Sequence, residues 1–275
     1  MTAARTPRRA PSFFPRLAAL AAAAALFASC APPPRPVPLV DDLAARYSGE
    51  RARREAGLRA LTADLVLRVD GRATGRLPGL PATLALAAPD RARLRVSALF
   101  GTALDVCAQG DSVVAWVPSE KTALALAGAG EKLGIAPPVD LLARSLGATW
   151  NPPREAWKSA AGESLGLRVR WLEGGDSLEL RLDTDARPAE LRLAGEAGSV
   201  SVRYGGWTRA GGVEWPGSLE IGDGTGWARV RIGVENVRVA EQADDAWFAL
   251  RVPAGARRLD WEGLHEWLDR RREAR

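Results

Sequence analysis

The sequence is short of the residues that most chemistry relies on. Among its 275 residues are one histidine, His265, one methionine and two cysteines, Cys30 and Cys107. A Ser/His/Asp or Cys/His mechanism would have to use His265. That residue sits between Leu264 and Glu266 with no nucleophile motif beside it, and it reads as a surface or helix-packing side chain. No metal-ligand spacing surrounds Cys107, which reads as a buried, inert thiol on a strand. The run Gly222-Asp223-Gly224-Thr225-Gly226 lacks the lysine and following helix of a phosphate loop and reads as a hairpin turn. The acidic pairs Asp41-Asp42 and Asp244-Asp245 read as a helix cap and a turn. These gaps point away from an enzyme, a metal site and a bound cofactor.

Long apolar runs are also missing. Leu17–Phe27 has 11 residues, against the roughly 20 needed for a spanning helix. Preceded by Arg5, Arg8, Arg9 and Arg16, it reads as an export signal over residues 1–29. The following Leu26-Phe27-Ala28-Ser29-Cys30 resembles the lipobox of bacterial lipoproteins, with Phe27 where leucine is usual. That resemblance implies cleavage before Cys30 and acylation of its thiol and new amino group. The covalent lipid on Cys30 is then the only prosthetic group expected, and it leaves Cys107 without a disulfide partner. Each buried methylene adds ~0.8 kcal/mol of membrane affinity, so several chains make a stable anchor. Ala31 follows, not the aspartate that marks inner-membrane retention in such proteins, which implies the periplasmic face of the outer membrane. The leader holds four arginines and no acid, so most of the formal charge of +5 leaves with it. The basic balance is therefore no argument for nucleic acid.

The mature chain opens on a tether, residues 30–40, with five prolines between Ala31 and Pro38. Asp41–Leu61 has a helical pattern weakened by Gly49 and Gly57. From Ala63 the period becomes two, through short stretches such as Leu65-Val66-Leu67-Arg68-Val69 and Leu178-Glu179-Leu180-Arg181-Leu182. Val213–Ile221 and Ala246–Val252 continue that scheme. Gly128–Gly147 interrupts it with a helix opened by Pro137-Pro138, and Asp260–Arg272 closes the chain as another. The fold class is α+β, mainly antiparallel β. It predicts a single, highly curved, unclosed β-barrel of about eleven strands over residues 41–258, with helices covering the concave face. Residues 259–275 form a C-terminal amphipathic helix.

The stretch Leu94-Arg95-Val96-Ser97-Ala98-Leu99-Phe100-Gly101-Thr102-Ala103-Leu104-Asp105-Val106 sets two alternating strands around an apolar turn. On the local pattern, Leu99 and Phe100 either fold back onto the core or meet a membrane or partner. Here the chain resembles the LolA/LolB-like family of periplasmic lipoprotein carriers and receptors, most closely its outer-membrane receptor branch, LolB. Residues 93–102 look like the family's strand–loop–strand. Ile135-Ala136-Pro137-Pro138-Val139-Asp140-Leu141-Leu142 looks like the start of its central helix, and Val202–Trp207 and Trp215–Gly224 look like its late strands. Phe248–Ala256 looks more like the end of the carrier branch. Where the carrier branch has arginine before an early proline, this chain has Ala88-Pro89, in keeping with a receptor. The helix beyond Pro253 departs from the receptor.

The resemblance implies an unclosed barrel whose apolar cavity binds acyl chains, and a protruding loop whose tip, Leu99 and Phe100, enters the membrane. The expected cavity lining is Leu65, Leu67, Leu84, Leu86, Leu94, Val96, Leu104, Val106, Trp116, Leu142 and Leu180. Trp150, Trp171, Trp207, Trp215 and Trp227 fit either cavity or core. The expected partners are acylated lipoproteins or lipids, the outer membrane and a soluble periplasmic carrier, with no nucleic acid. The competing expectation is an envelope-accessory lipoprotein of the same fold with a filled cavity.

Overall fold

The computed structural model describes residues 40–71, 75–76, 78–133, 137–163, 166–196, 198–224 and 228–273, all within the compact unit Pro38–Arg275. The leader, Cys30, tether residues 31–39 and Trp227 lie outside them. Helix α1, Val40–Gly57, begins where Asp41 and Asp42 meet the positive end of its dipole. It buries Leu43, Tyr47 and Arg54 along one side. The helix runs through Gly49 unbroken and stops at Gly57, short of the predicted Leu61.

The strands follow in a long meander. They are β1 (Leu61–Gly71), β2 (Gly75–Arg76), β3 (Leu80–Ala87), β4 (Arg91–Ala98), β5 (Gly101–Gln109), β6 (Ser112–Val117) and β7 (Thr122–Leu126). Three helices then intervene, α2 (Ala129–Leu133), α3 (Pro138–Gly147) and α4 (Arg154–Lys158). The sheet resumes with β8 (Ala161–Glu163), β9 (Gly166–Glu173), β10 (Asp176–Leu182), β11 (Pro188–Gly195), β12 (Gly198–Gly205), β13 (Thr208–Ala210), β14 (Val213–Trp215), β15 (Ser218–Asp223) and β16 (Ala228–Val239). Last come β17 (Arg257–Leu259) and helix α5 (Trp261–Glu273).

Fifteen strands form one unclosed sheet in the order β17-β7-β6-β5-β4-β3-β1-β16-β15-β12-β11-β10-β9-β8, with β2 beside β1. β13 and β14 make a separate hairpin. All pairs are antiparallel except β17 with β7. Most of the excess over the expected eleven is β2, β8 and β17, two- and three-residue pieces too short to show an alternation. The predicted strand Val213–Ile221 divides between β14 and β15 at Pro216, which has no N–H to give a ladder. Ala246–Val252 is no strand. Asp244 caps Ala246 and starts the single turn Asp245–Phe248 instead.

The register explains the core. Leu84 pairs with Leu94 and Ala63, and Leu94 with Val106. Leu65 pairs with Val234. Leu180 pairs with Val169 and Leu191, and Leu191 with Val202. Cross-strand partners share a face, so one side of the whole sheet is apolar. Helices α1, α3 and α4 supply Leu43, Tyr47, Val139, Ala143, Leu146 and Ala156 to the same core as this concave face.

The C-terminal arm binds the opposite face. Arg91 pairs with Asp245 and lies 4.6 Å over the Phe248 ring. Arg93 donates to the Trp247 carbonyl at 3.2 Å, and Cys107 Sγ donates to the Phe248 carbonyl at 3.4 Å. Beneath the arm, Arg93 clasps Asp105 with two hydrogen bonds of 2.8 and 2.7 Å, and Arg95 adds a third at 3.1 Å. Burial alone would raise the Asp105 pKa. The hydrogen bonds and charges of Arg93 and then Arg95 outweigh it and hold the carboxyl below its ordinary 3.8.

Two predictions follow from this packing. Gly49 is exposed in a helix interior with nothing near its added Cβ, whereas a Cβ on Gly57 would lie 2.7 Å from the buried Trp215 ring. Urea unfolding should show Gly49→Ala stabilising by about 0.5–1 kcal/mol and Gly57→Ala destabilising by about 1–3 kcal/mol. Asp105→Asn leaves Arg93 without its counter-charge and should cost roughly 3 kcal/mol at neutral pH. A depressed carboxyl stabilises the fold above its unfolded pKa and loses that contribution as pH falls through the folded value. The gap between wild type and Asp105→Asn should therefore be full at neutral pH and shrink as the pH drops below about 4; an unchanged gap at pH 3 contradicts this.

Candidate binding cavity and projecting hairpin

The helices do not cover the concave face evenly. Over its late strands they leave an apolar cavity of about 810 Å³. Leu178, Leu191, Leu193, Val200, Val202 and Ile221 form the floor. Their pairings, Leu178 with Leu193, Leu193 with Val200, and Val202 with Ile221, keep them on one face. The roof is α3, whose amphipathic turns split their apolar residues two ways. Val139, Ala143 and Leu146 are buried in the core, while Leu141, Leu142 and Ser145 line the cavity. Val113, Leu126, Ala129 and Trp261 close another side. Trp261 belongs to α5 and is held by its indole N–H donating to the Ala127 carbonyl at 2.7 Å. The volume lies within the roughly 300–1,000 Å³ of small-molecule sites, and the apolar lining with a few polar groups at one place matches such sites.

Those polar groups are Arg144, Ser145, Glu173 and Asp176. Arg144 pairs with Asp140 at 2.9 Å and with Glu173 at 2.8 Å. Burial works against the charge of Glu173, but hydrogen bonds from Trp171 and Arg144 keep its pKa below the usual carboxylate value. Behind the wall, the Tyr47 hydroxyl donates to the Trp150 carbonyl, and the Trp150 indole N–H donates to the Tyr204 hydroxyl at 2.9 Å. Burial pushes both phenols up, so both stay neutral, Tyr47 as donor and Tyr204 as acceptor. Arg54, 1% exposed, lies 5.4 Å over Trp207 and donates to the Ala148 carbonyl at 3.4 Å. This network fixes Trp150 as cavity wall.

The residues predicted from sequence distribute unevenly. Leu142 lines the cavity. Leu65, Leu84, Leu86, Val96 and Leu180 lie buried in the core that the helices share. Leu67, Leu94 and Leu104 are partly buried against the same core, and Val106 faces it opposite Leu94 and Ala115. Trp116 is a correction, because it pairs with Asp105 and so lies on the opposite face. In Val113-Val114-Ala115-Trp116-Val117 nothing alternates, and the register alone turns Val113 inward and Trp116 outward. Of the other tryptophans, Trp150 lines the cavity, while Trp171 and Trp215 are buried in the core and Trp207 packs against it. Cys30 and Trp227 lie outside the described residues. Sequence reasoning missed Leu141, Leu178, Leu191, Leu193, Val202, Ile221 and Trp261. All but Trp261 carried the same alternation as the predicted set or stood beside it on α3, and alternation does not say which strands the helices leave bare.

Leu99 and Phe100 form the tip of the β4–β5 hairpin, 95% and 102% exposed. The strands pair up to Ala98 and Gly101. Gly101 has φ +117°, a conformation that a side chain would strain, so the turn stays tight and neither apolar side chain can reach the core. His265 is exposed on α5, and burial pushes the Cys107 thiol up, away from the reactive thiolate. Among the described residues, no group of three or more His, Cys, Asp or Glu could hold a metal ion, and no helix is long and apolar enough to cross a membrane.

No protein-family model and no curated protein sequence matches this chain. Solved structures do resemble it. A LolA superfamily protein from Nitrosomonas europaea is 11% identical with a TM-score of 0.50, over 74% of this chain and 97% of that one. An outer membrane lipoprotein-sorting domain from Vibrio parahaemolyticus is 9% identical with a TM-score of 0.48, over 74% and 94%. A DUF1329 family protein from Desulfovibrio piger is 8% identical with a TM-score of 0.49, over 75% and 97%. The unclosed antiparallel sheet with helices in its concavity, together with the first of these likenesses, gives this chain a LolA-like fold.

Proposed function

We propose that this chain is an envelope lipoprotein, anchored through Cys30, that binds the acyl chains of lipids or acylated proteins and helps insert them into the membrane. The observation that carries the reading is the apolar cavity of about 810 Å³ between the late strands and α3. An acyl chain needs no specific hydrogen bond, so an apolar floor with polar groups confined to one region suits it. The competing accessory role requires an interior filled by side chains, which this cavity does not support. A LolB-like receptor on the periplasmic face of the outer membrane, loaded by a soluble carrier, is the form the lipobox and the hairpin favour.

Cargo would move without a covalent step, from a site that holds it less tightly to one that holds it more tightly. The Leu99–Phe100 tip would enter the leaflet, where two large apolar side chains each gain about 1.5–3 kcal/mol on leaving water.

A fluorescent fatty acid should titrate to saturation with the purified chain, and Leu193→Trp, which fills the floor, should weaken it at least about tenfold. Failure of any apolar ligand to bind removes the reading. In a chain prepared without acylation at Cys30, Phe100→Glu should leave that titration unchanged while cutting co-sedimentation with phospholipid vesicles by about tenfold or more. Unaltered vesicle binding and unaltered lipoprotein localisation would dismiss the role given to the hairpin.

A further inference from the structure

Among the described residues that line the apolar cavity Arg144 is the only cation, and it stands at a border. Arg144 and Glu173 also line a second groove, of about 450 Å³, on another flank of α3. Arg51, Glu55 and Arg59 reach that groove from α1 and the turn after it, and Asp140, Thr149 and Asn151 from α3 and the segment that follows. The cavity is apolar, the groove is polar, and one ion pair borders both. In it Arg144 Nη1 ties α3 to Glu173 at the end of β9, 2.8 Å away.

A molecule built on an acyl chain has the same division. Its hydrocarbon gains by leaving water, and its polar remainder loses hydrogen bonds if it follows. The two spaces can take the two parts separately, with Arg144 where they meet. Its Nε pairs with Asp140 at 2.9 Å and its Nη1 with Glu173. A guanidinium carries more N–H donors than these two bonds use, so it can still donate to an oxygen that arrives with the chain. An ester or amide carbonyl accepts such a bond without bringing a further negative charge beside Asp140 and Glu173; a free carboxylate brings one. Every acyl chain joined to glycerol or to a protein ends in a carbonyl of that kind.

We propose that Arg144 is a positioning residue for cargo. It holds the acyl carbonyl at the border, with the hydrocarbon over the floor formed by Leu191 and Val202 and the polar remainder leaving along the groove between α1 and α3. The proposal rests on the reading of the cavity as an acyl-chain site and goes further in naming the group recognised, the direction of the chain and its exit.

The test uses the purified full chain and two carriers of the same acyl group, a phosphatidylcholine and an acylated cysteinyl peptide. Each is made with a photoreactive diazirine either beside the acyl carbonyl or at the terminal methyl, and mass spectrometry locates the cross-links. The carbonyl-side probe should label the groove at Asp140, Thr149 or Asn151, and the methyl-end probe should label β11 and β12. Labelling of the groove by one carrier alone identifies the source of the acyl group, lipid or protein, and supports the proposal as labelling by both does. Carbonyl-side labelling at the exposed Val200 rim instead, or methyl-end labelling in the groove, overturns the direction. Displacement of a fluorescent fatty acid then reads affinity. Arg144→Gln should weaken the phosphatidylcholine by about tenfold and leave a hydrocarbon of matched length within about twofold, and Arg144→Lys should restore part of the loss. The thermal transition shows that each variant remains folded. Equal weakening of both ligands, or of neither, overturns the role of Arg144. If the fatty acid binds and neither carrier labels cavity or groove, this inference fails alone. If the fatty acid does not bind either, the acyl-chain reading fails with it.

Discussion

Every long strand of this protein turns apolar side chains to the same face, and that face has to be kept from water. A fully buried leucine or valine is worth about 1.5–3 kcal/mol, and the concave side holds them from Leu124 on β7 to Val169 on β9. A sheet this broad outruns the helices available to cover it. Helix α1 and the buried side of α3 meet the demand over part of the surface, where Leu43, Tyr47, Val139 and Leu146 join Leu61, Leu84 and Leu86 in one core. Over β10, β11, β12 and β15 the second side of α3 stands off, and the remainder of the apolar face becomes a cavity. The space is thus a consequence of the mismatch between sheet and helices, and an apolar ligand would complete the burial.

The outer face solves a different problem. Glu190 faces Arg181, Arg192 and Arg203, and Glu220 faces Arg203, Arg229 and Arg231. The arginines are a third or more exposed, so each pair contributes about 0–1 kcal/mol on that side, while Glu190 itself is buried and depends on its three arginines to offset its desolvation. These pairs make the convex surface costly to dry, and the Leu99–Phe100 tip is the most exposed apolar pair among the described residues. Near β4 and β5 the same device carries a cover as well. There Asp105 is buried by two arginines and roofed by the turn carrying Trp247 and Phe248.

The sheet's face assignment was legible in the sequence wherever polar and apolar residues alternate, as in Leu178-Glu179-Leu180-Arg181-Leu182 or Arg93-Leu94-Arg95-Val96. It was illegible in Val113–Val117, where every residue is apolar, and there Trp116 was placed on the wrong side. The hairpin tip could be read because Leu99 and Phe100 break the rule that turns are polar. The location of the cavity could not be read. It depends on where α3 crosses the sheet, and that follows from distant packing of α1, Trp150 and Tyr204 rather than from any local pattern. Trp261 was visible as one apolar position on a terminal helix, but its place on the cavity wall depends on the parallel pairing of β17 with β7.

That pairing also orders the assembly of the chain. β3 to β7 and β9 to β12 each join neighbours in sequence, so their loops close at small entropic cost. β1 with β16, and β7 with β17, join strands from far ends of the chain, and such contacts form late. A chain whose last strands are not yet in place therefore carries an N-terminal meander whose outer strand, β7, is paired with β6 on one edge only. An unpaired edge of this kind invites strand addition from other chains. The short parallel strand β17 thus seals the sheet last, and truncation just before Arg257 would leave a protein that keeps its meanders but retains an adhesive edge.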